Sequence, residues 1–167
     1  MLGPSDHVPS HRKQLAFEAL AGDSAGVVER TIFSMEGGQS AATRLVKHGI
    51  TGIICASDVL ALGAMKAVRR LGLAVPAEVS VIGFDDSAFM NCTDPPLTTV
   101  RQPIEAMGQA AVALLAAQVA GHTVPADEMV FEPELIVRGS TGPVRSRDSG
   151  DRRVSRSSAR TPARPRA

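Results

Sequence analysis

An α/β fold with a mainly parallel sheet is the class this sequence predicts, and three observations carry it. Segments with helix and strand periodicity alternate along the chain, beginning with a helix. Two β-branched runs, "ITGIICA" and "VSVIGF", are mostly apolar, as strands covered on both faces are. Each run is followed at once by small or acidic acceptors, "ASD" and "FDD". In open α/β sheets those strand ends are where ligands bind.

Taken in order, a Gly-Pro-Ser-Asp loop leads into a helix from about Ser10 to Ala21, with Leu15, Phe17, Ala19 and Leu20 as its apolar face. "VVERTIFSM" reads as a short strand. "EGGQSAATRLVKHG" is a helix striped by Ala42, Leu45 and Val46 and ended by Gly49. After the strand "ITGIICA" comes "SDVLALGAMKAVRRLG", the clearest helix of the chain. Ser57 or Asp58 can cap it, Ala61, Ala64, Met65, Val68 and Leu71 form one face, and Gly72 stops it. "VSVIGF" is the next strand. "PIEAMGQAAVALLAAQVAG" is a helix with Pro103 at its start and Ile104, Met107, Ala111, Leu114 and Leu115 on one side. "EMVFEPELIVRGST" closes with one or two strands.

Composition bounds the function. The 167 residues suit one domain with a real core, and 44% apolar residues with 21% charged ones are the balance of a globular protein. Residues 144–167 hold eight Arg and two Asp, so the first 143 carry a net charge of −5. That Arg/Ser-rich tail, 143–167, is too poor in apolar residues to offset its ordering entropy and is expected to be disordered. No stretch reaches the ~18 apolar residues of a membrane span. Cys55 and Cys92 lack CxxC spacing and are expected as reduced thiols of a cytoplasmic protein. His7 and His11 stand four apart, but Pro9 intervenes and no further ligand completes a metal set. Neither a P-loop nor a Gly-x-Gly-x-x-Gly is present. The order of acids and the missing strand-end Lys also exclude a phosphorelay receiver, so no enzyme is expected, and no cofactor.

Several ordered motifs then point to one family. The strand leading to "ASD", the helix beginning "VLALGAM", "GLAVPAEVSVIGFDD" and "PPLTTVRQP" before a helix containing "MG" closely resemble the effector-binding domain of LacI/GalR-type transcriptional regulators. "GPSDHVPSHRKQLAF" is similar to the family's loop entering the first helix of its second half. The resemblance covers residues 1–142. It implies one Rossmann-like subdomain, the C-terminal one, of a periplasmic-binding-protein-like type I fold. Two such subdomains clamp a small molecule, often a sugar, and dimers form partly through the C-terminal one. The family's helix-turn-helix, hinge helix and first subdomain have no counterpart in these residues. The chain is therefore expected to be the C-terminal half of such a sensor, with residues 104–120 packing on the missing subdomain and operator DNA met only through a domain not present.

The resemblance also nominates residues. Asp85 falls where the family places a carboxylate that accepts from ligand hydroxyls; a purely structural role is the alternative. Asp86 is expected to orient the following turn. Ser57 can meet the ligand or cap its helix, and Asp58 is assigned mainly to the cap. Lys13, or its neighbour Arg12, lies where the family carries a ligand-binding Arg; either could equally be a solvated charge. Phe33 stands where relatives stack an aromatic on the ligand, with core packing as the alternative. Gln102 is placed in the crossover between subdomains, touching ligand or stabilising the hinge. Phe89, Met90 and Leu97 follow the acidic pair where relatives make dimer contacts. The function expected is effector sensing, with a sugar as the expected effector, in a LacI/GalR-type regulator; the alternatives are a periplasmic-type sugar-binding protein of the same fold and an inactive gene fragment.

Overall fold

In the computed structural model, which describes residues 1–21, 26–124 and 129–144, the two β-branched runs pair as parallel strands. Gly52–Ile54 (β1) lies beside Ser80–Ile82 (β2), with Ile53 opposite Val81. The parallel arrangement continues on both sides through single bridges. Leu2 bridges Arg30, and the Ala56 amide donates to the Met1 carbonyl, which places residues 1–2 next to β1. Ile82 bridges Thr98 and Asp85 bridges Arg101, which places Thr99–Arg101 (β3) next to β2. Glu134–Ile136 (β4) then runs antiparallel to β3, with Val100 opposite Leu135.

The helices are Val8–Ala21 (α1), Met35–Val46 (α2), Asp58–Arg70 (α3) and Ile104–Val119 (α4). Each lies within three residues of where its sequence pattern puts it. Ser34 caps α2 by accepting from the Gly37 amide at 2.9 Å, and Gly72, at φ 76°, stops α3.

The core sits between α2, α3 and the β1–β2 pair. Leu60, Ala61, Ala64, Val68, Val81 and Leu97 are fully buried there. α2 and α3 touch backbone to backbone. A Cβ at Gly63 would lie 2.2 Å from the Met35 carbonyl oxygen, and one at Gly38 would lie 2.4 Å from that of Leu60. Only glycine permits such an approach. Ser140 seals the entry side of the sheet: its hydroxyl donates to the Val81 carbonyl at 2.6 Å and accepts from the Thr98 amide at 2.8 Å.

Three expectations fail for identifiable reasons. The stretch 27–35 forms no strand, only the bridge at Arg30, because its backbone pairs with Leu2 and no further: the Leu2 amide donates to the Glu29 carbonyl and the Thr31 amide to the Leu2 carbonyl. Arg30 turns to the Gly3 carbonyl and Gln14, Glu29 pairs with Arg44 at 2.8 Å, and Ser34 starts α2. The apolar face expected on α1 is not used: Leu20 is 89% exposed, and Ser10 is the buried residue of that helix. "TTVR", read as plain crossover, contains β3, because its amides and carbonyls complete the edge of β2. α4 matches its predicted span but buries no residue in this chain, and Ile104, Val112, Leu115 and Val119 are all exposed. The tail expected from 143 onward lies, from residue 145, outside the described residues.

Candidate ligand-binding site

Because β1, β2 and β3 run parallel, the loops that follow them leave from one end of the sheet. There the chain places a carboxylate, an amide, an ammonium and an aromatic ring. The carboxylate is Asp85, one residue beyond "VIGF". Its amide donates to the Val100 carbonyl at 2.8 Å, and its Oδ1 accepts from Gln102 Nε2 at 2.8 Å. Gln102 is thus brought to Asp85 by the pairing of β3 with the end of β2. Burial pushes the Asp85 pKa up, with the nearby Asp58 adding to it. Lys13 and the Gln102 hydrogen bond work in the opposite direction without cancelling the rise.

Lys13 reaches this end from α1. Its Nζ donates to the Ala56 carbonyl at 3.0 Å and sits 3.3 Å above the centre of the Phe84 ring. Burial lowers its pKa and the charge of Asp85 raises it, with a net fall. Of the two basic candidates, Lys13 is the one facing the strand ends, while Arg12 is exposed on the same helix. Phe33 is 39% exposed and meets the His7 ring edge to face at 5.0 Å. His7 Nδ1 in turn bonds the Ser10 hydroxyl at 2.9 Å, and that hydroxyl accepts from the Gly3 amide.

Ser57 and Asp58 have exchanged the emphasis expected of them. Ser57 is the cap of α3, accepting from the Leu60 amide, and is nearly buried. Asp58, assigned mainly to the cap, is instead a buried cross-link. Its two oxygens accept from Thr99 Oγ1 and from the Ser87 amide, both at 2.6 Å, tying α3 to β3 and to the loop after β2. A carboxylate in that position suits a helix start, where the dipole favours negative charge.

Asp86 does more than orient a turn. Its Oδ2 accepts from Arg101 at 2.7 Å and its Oδ1 from Arg138 at 2.7 Å, with the carboxylate 9% exposed. Burial alone would raise its pKa, but the two guanidiniums outweigh that and hold it below the ordinary carboxylate range. Phe89 is 75% exposed at φ 73°, whereas Met90 and Leu97 lie in the chain's own core. Of the three residues expected at a dimer contact, Phe89 alone therefore presents appreciable surface.

Phe84, Thr99, Arg101 and Arg138 were not singled out from sequence. The two arginines follow apolar strand residues, and an unbalanced pair of acids at a neighbouring strand end was the signal that could have found them. Residues 22–26, "GDSAG", also spell the spacing of a hydrolase nucleophile elbow. They follow a helix instead of a strand, the wrong context for that turn, and 22–25 lie outside the described residues.

Comparison with known proteins agrees with this geometry. Residues 1–141 match the family model of the periplasmic binding protein-like domain. An HTH-type transcriptional regulator from the aml 5' region of Streptomyces limosus is 51% identical over 148 residues, which is 84% of this chain and 42% of that protein. Among solved structures, the transcriptional regulator CelR in complex with cellobiose superposes with a TM-score of 0.76 at 28% identity, over 84% of this chain and 45% of CelR. A dimeric lac repressor with a C-terminal deletion superposes with a TM-score of 0.78 at 29% identity, over 86% of this chain and 54% of the repressor. The chain spans less than half the length of the Streptomyces relative. It belongs to the periplasmic binding protein-like family and, within it, to the effector-binding sequences of LacI/GalR-type transcriptional regulators.

Proposed function

We propose that this chain supplies one wall of the effector site of a LacI/GalR-type regulator, and that the effector is a sugar. The observation that carries this reading is Asp85, a carboxylate at a strand's carboxyl end, hydrogen-bonded by Gln102 and close enough to feel the charge of Lys13. An ionised carboxylate accepts from two adjacent hydroxyls, an amide can both accept and donate, and an ammonium donates three times. Phe33 offers a half-exposed ring for the apolar face of a pyranose, as the family places it. The effector in CelR, solved as its cellobiose complex, has this chemistry. Operator binding would come from a helix-turn-helix elsewhere in such a regulator. Phe89 would lie at a homodimer contact, and the regulator would work in the cytoplasm.

The test is calorimetric titration of a regulator that carries this chain together with the opposite wall of the site, using glucose, maltose and cellobiose and repeated on Asp85→Ala. Binding of at least one sugar, weakened tenfold or more by the substitution, is the expected result. No heat from any of the three, in a regulator shown to be folded by circular dichroism, would overturn the sugar reading.

A further inference from the structure

Asp85 and Asp86 share a feature that ligand binding by Asp85 does not explain. Both have positive backbone φ angles, 116° and 53°, and neither is glycine. L-residues in such conformations persist only where surrounding contacts over-determine them. The contacts here fall on three successive residues. The Asp85 amide is held by the Val100 carbonyl, the Asp86 amide approaches Thr99 Oγ1 at 3.4 Å, and the Ser87 amide is held by Asp58 Oδ2.

The strongest of them is on Asp86. Arg101 approaches one carboxylate oxygen with both Nε, at 2.8 Å, and Nη2, at 2.7 Å, while Arg138 takes the other oxygen. Arg138 is itself fixed, because Nη1 donates to the Leu97 carbonyl at 2.9 Å and its amide donates to Thr98 Oγ1 at 2.9 Å. The grip thus leads back to the buried start of β3. Arg101 also reaches Glu134 on β4, more loosely, at 3.4 Å.

We propose that Asp86, gripped by Arg101 and Arg138, is a positioning residue that holds Asp85 in its left-handed backbone conformation and so aims the Asp85 carboxylate toward Gln102 and Lys13. The inference rests on Asp85 being the ligand-facing carboxylate. In this arrangement one aspartate presents the chemistry and its neighbour supplies the restraint. That answers why two like charges stand side by side at a strand end: Asp86 is neutralised by its own two cations and leaves the lysine to Asp85.

The experiment needs no ligand. The carboxyl carbon of Asp85 is followed by NMR through a pH titration in the full chain, in Asp86→Asn and in Glu134→Gln. The wild-type group titrates above the ordinary carboxylate range. Removing the neighbouring charge in Asp86→Asn lowers its midpoint by itself, so the deciding readout is the three-bond amide–Hα coupling of Asp85, which reads φ directly. It leaves its positive-φ value in Asp86→Asn and keeps it in Glu134→Gln, which removes the loose contact alone. A purely structural ion pair would lower the melting temperature without moving that coupling. An unchanged coupling in a folded Asp86→Asn chain overturns the proposal. Should Asp86→Asn fail to fold, Arg101→Gln, at a half-exposed guanidinium, is read in the same way. A regulator that takes up no sugar overturns the proposed effector and leaves this measurement interpretable.

Discussion

α3 and α4 are both alanine-rich helices, of 13 and 16 residues, and they behave in opposite ways. α3 carries charges at Asp58, Lys66, Arg69 and Arg70, yet it buries Leu60, Ala61, Gly63, Ala64, Met65, Ala67 and Val68. α4 is the more apolar of the two, with Glu105 its only charged residue, and it buries nothing. Apolar content alone therefore does not place a helix. What places α3 is complementarity to α2, through two glycines that let the backbones meet. Gly108 of α4 faces open space. A helix apolar on all sides belongs in an interior. The exposed face of α4 thus departs from ordinary surface composition.

The contrast can be broken most sharply by truncating equivalent leucines. Leu60→Ala, in a fully buried position, should cost about 3 kcal/mol of unfolding free energy. Leu115→Ala, 61% exposed, should change it by less than about 0.5 kcal/mol. Denaturant melts monitored by circular dichroism compare the two. A smaller effect comes from the glycines. Gly63→Ala forces a methyl onto the Met35 carbonyl and should destabilise by about 2 kcal/mol. Gly108→Ala meets nothing and should stabilise by roughly 0.5 kcal/mol. Equal effects at the two glycines would remove the basis of the comparison.

The junction between the packed half and the β3–α4–β4 arm should respond to pH. Asp86 titrates below its ordinary range, so its contribution is present at neutral pH and is lost as pH falls through its folded value. Asp85, shifted upward, acts with the opposite sign: its contribution is complete in acid and fades as pH rises through its folded value. Asp86→Asn should therefore lower stability by about 2 kcal/mol near neutrality and by almost nothing in strong acid. Melts at several pH values check the convergence. The mildest probe is chemical. Cys92 is exposed and should alkylate readily, while Cys55 is buried with its thiol pushed up to about 12 and should react only when the packed half opens. Mass spectrometry after brief iodoacetamide treatment separates the two.

Much of this was legible in the sequence where local signals and tertiary packing agree. The α2 and α3 spans, the parallel β1–β2 pair and the position of Asp85 follow from periodicity, caps and the β-branched runs. The segment 27–35 misled because a β-branched composition says nothing of how much backbone lies beside it: the stretch pairs with Leu2 and then turns at Ser34 into α2. Asp58 and Ser57 are adjacent candidates for one cap, and only the position of Thr99, 41 residues away, assigns Asp58 to the cross-link. The grip of Arg101 and Arg138 on Asp86 depends on strand register, which a single sequence does not encode locally.

The backbone angle at Asp85 has a consequence for the history of such a site. Its φ of 116° suits glycine far better than aspartate. An aspartate codon becomes a glycine codon by a single transition, so this replacement arises often. Asp85→Gly would relieve a strain on the order of 1–3 kcal/mol and yield a sturdier protein without its carboxylate. Wherever selection acts on folding alone, position 85 should drift to glycine. An aspartate kept there is what the proposed binding role of Asp85 predicts.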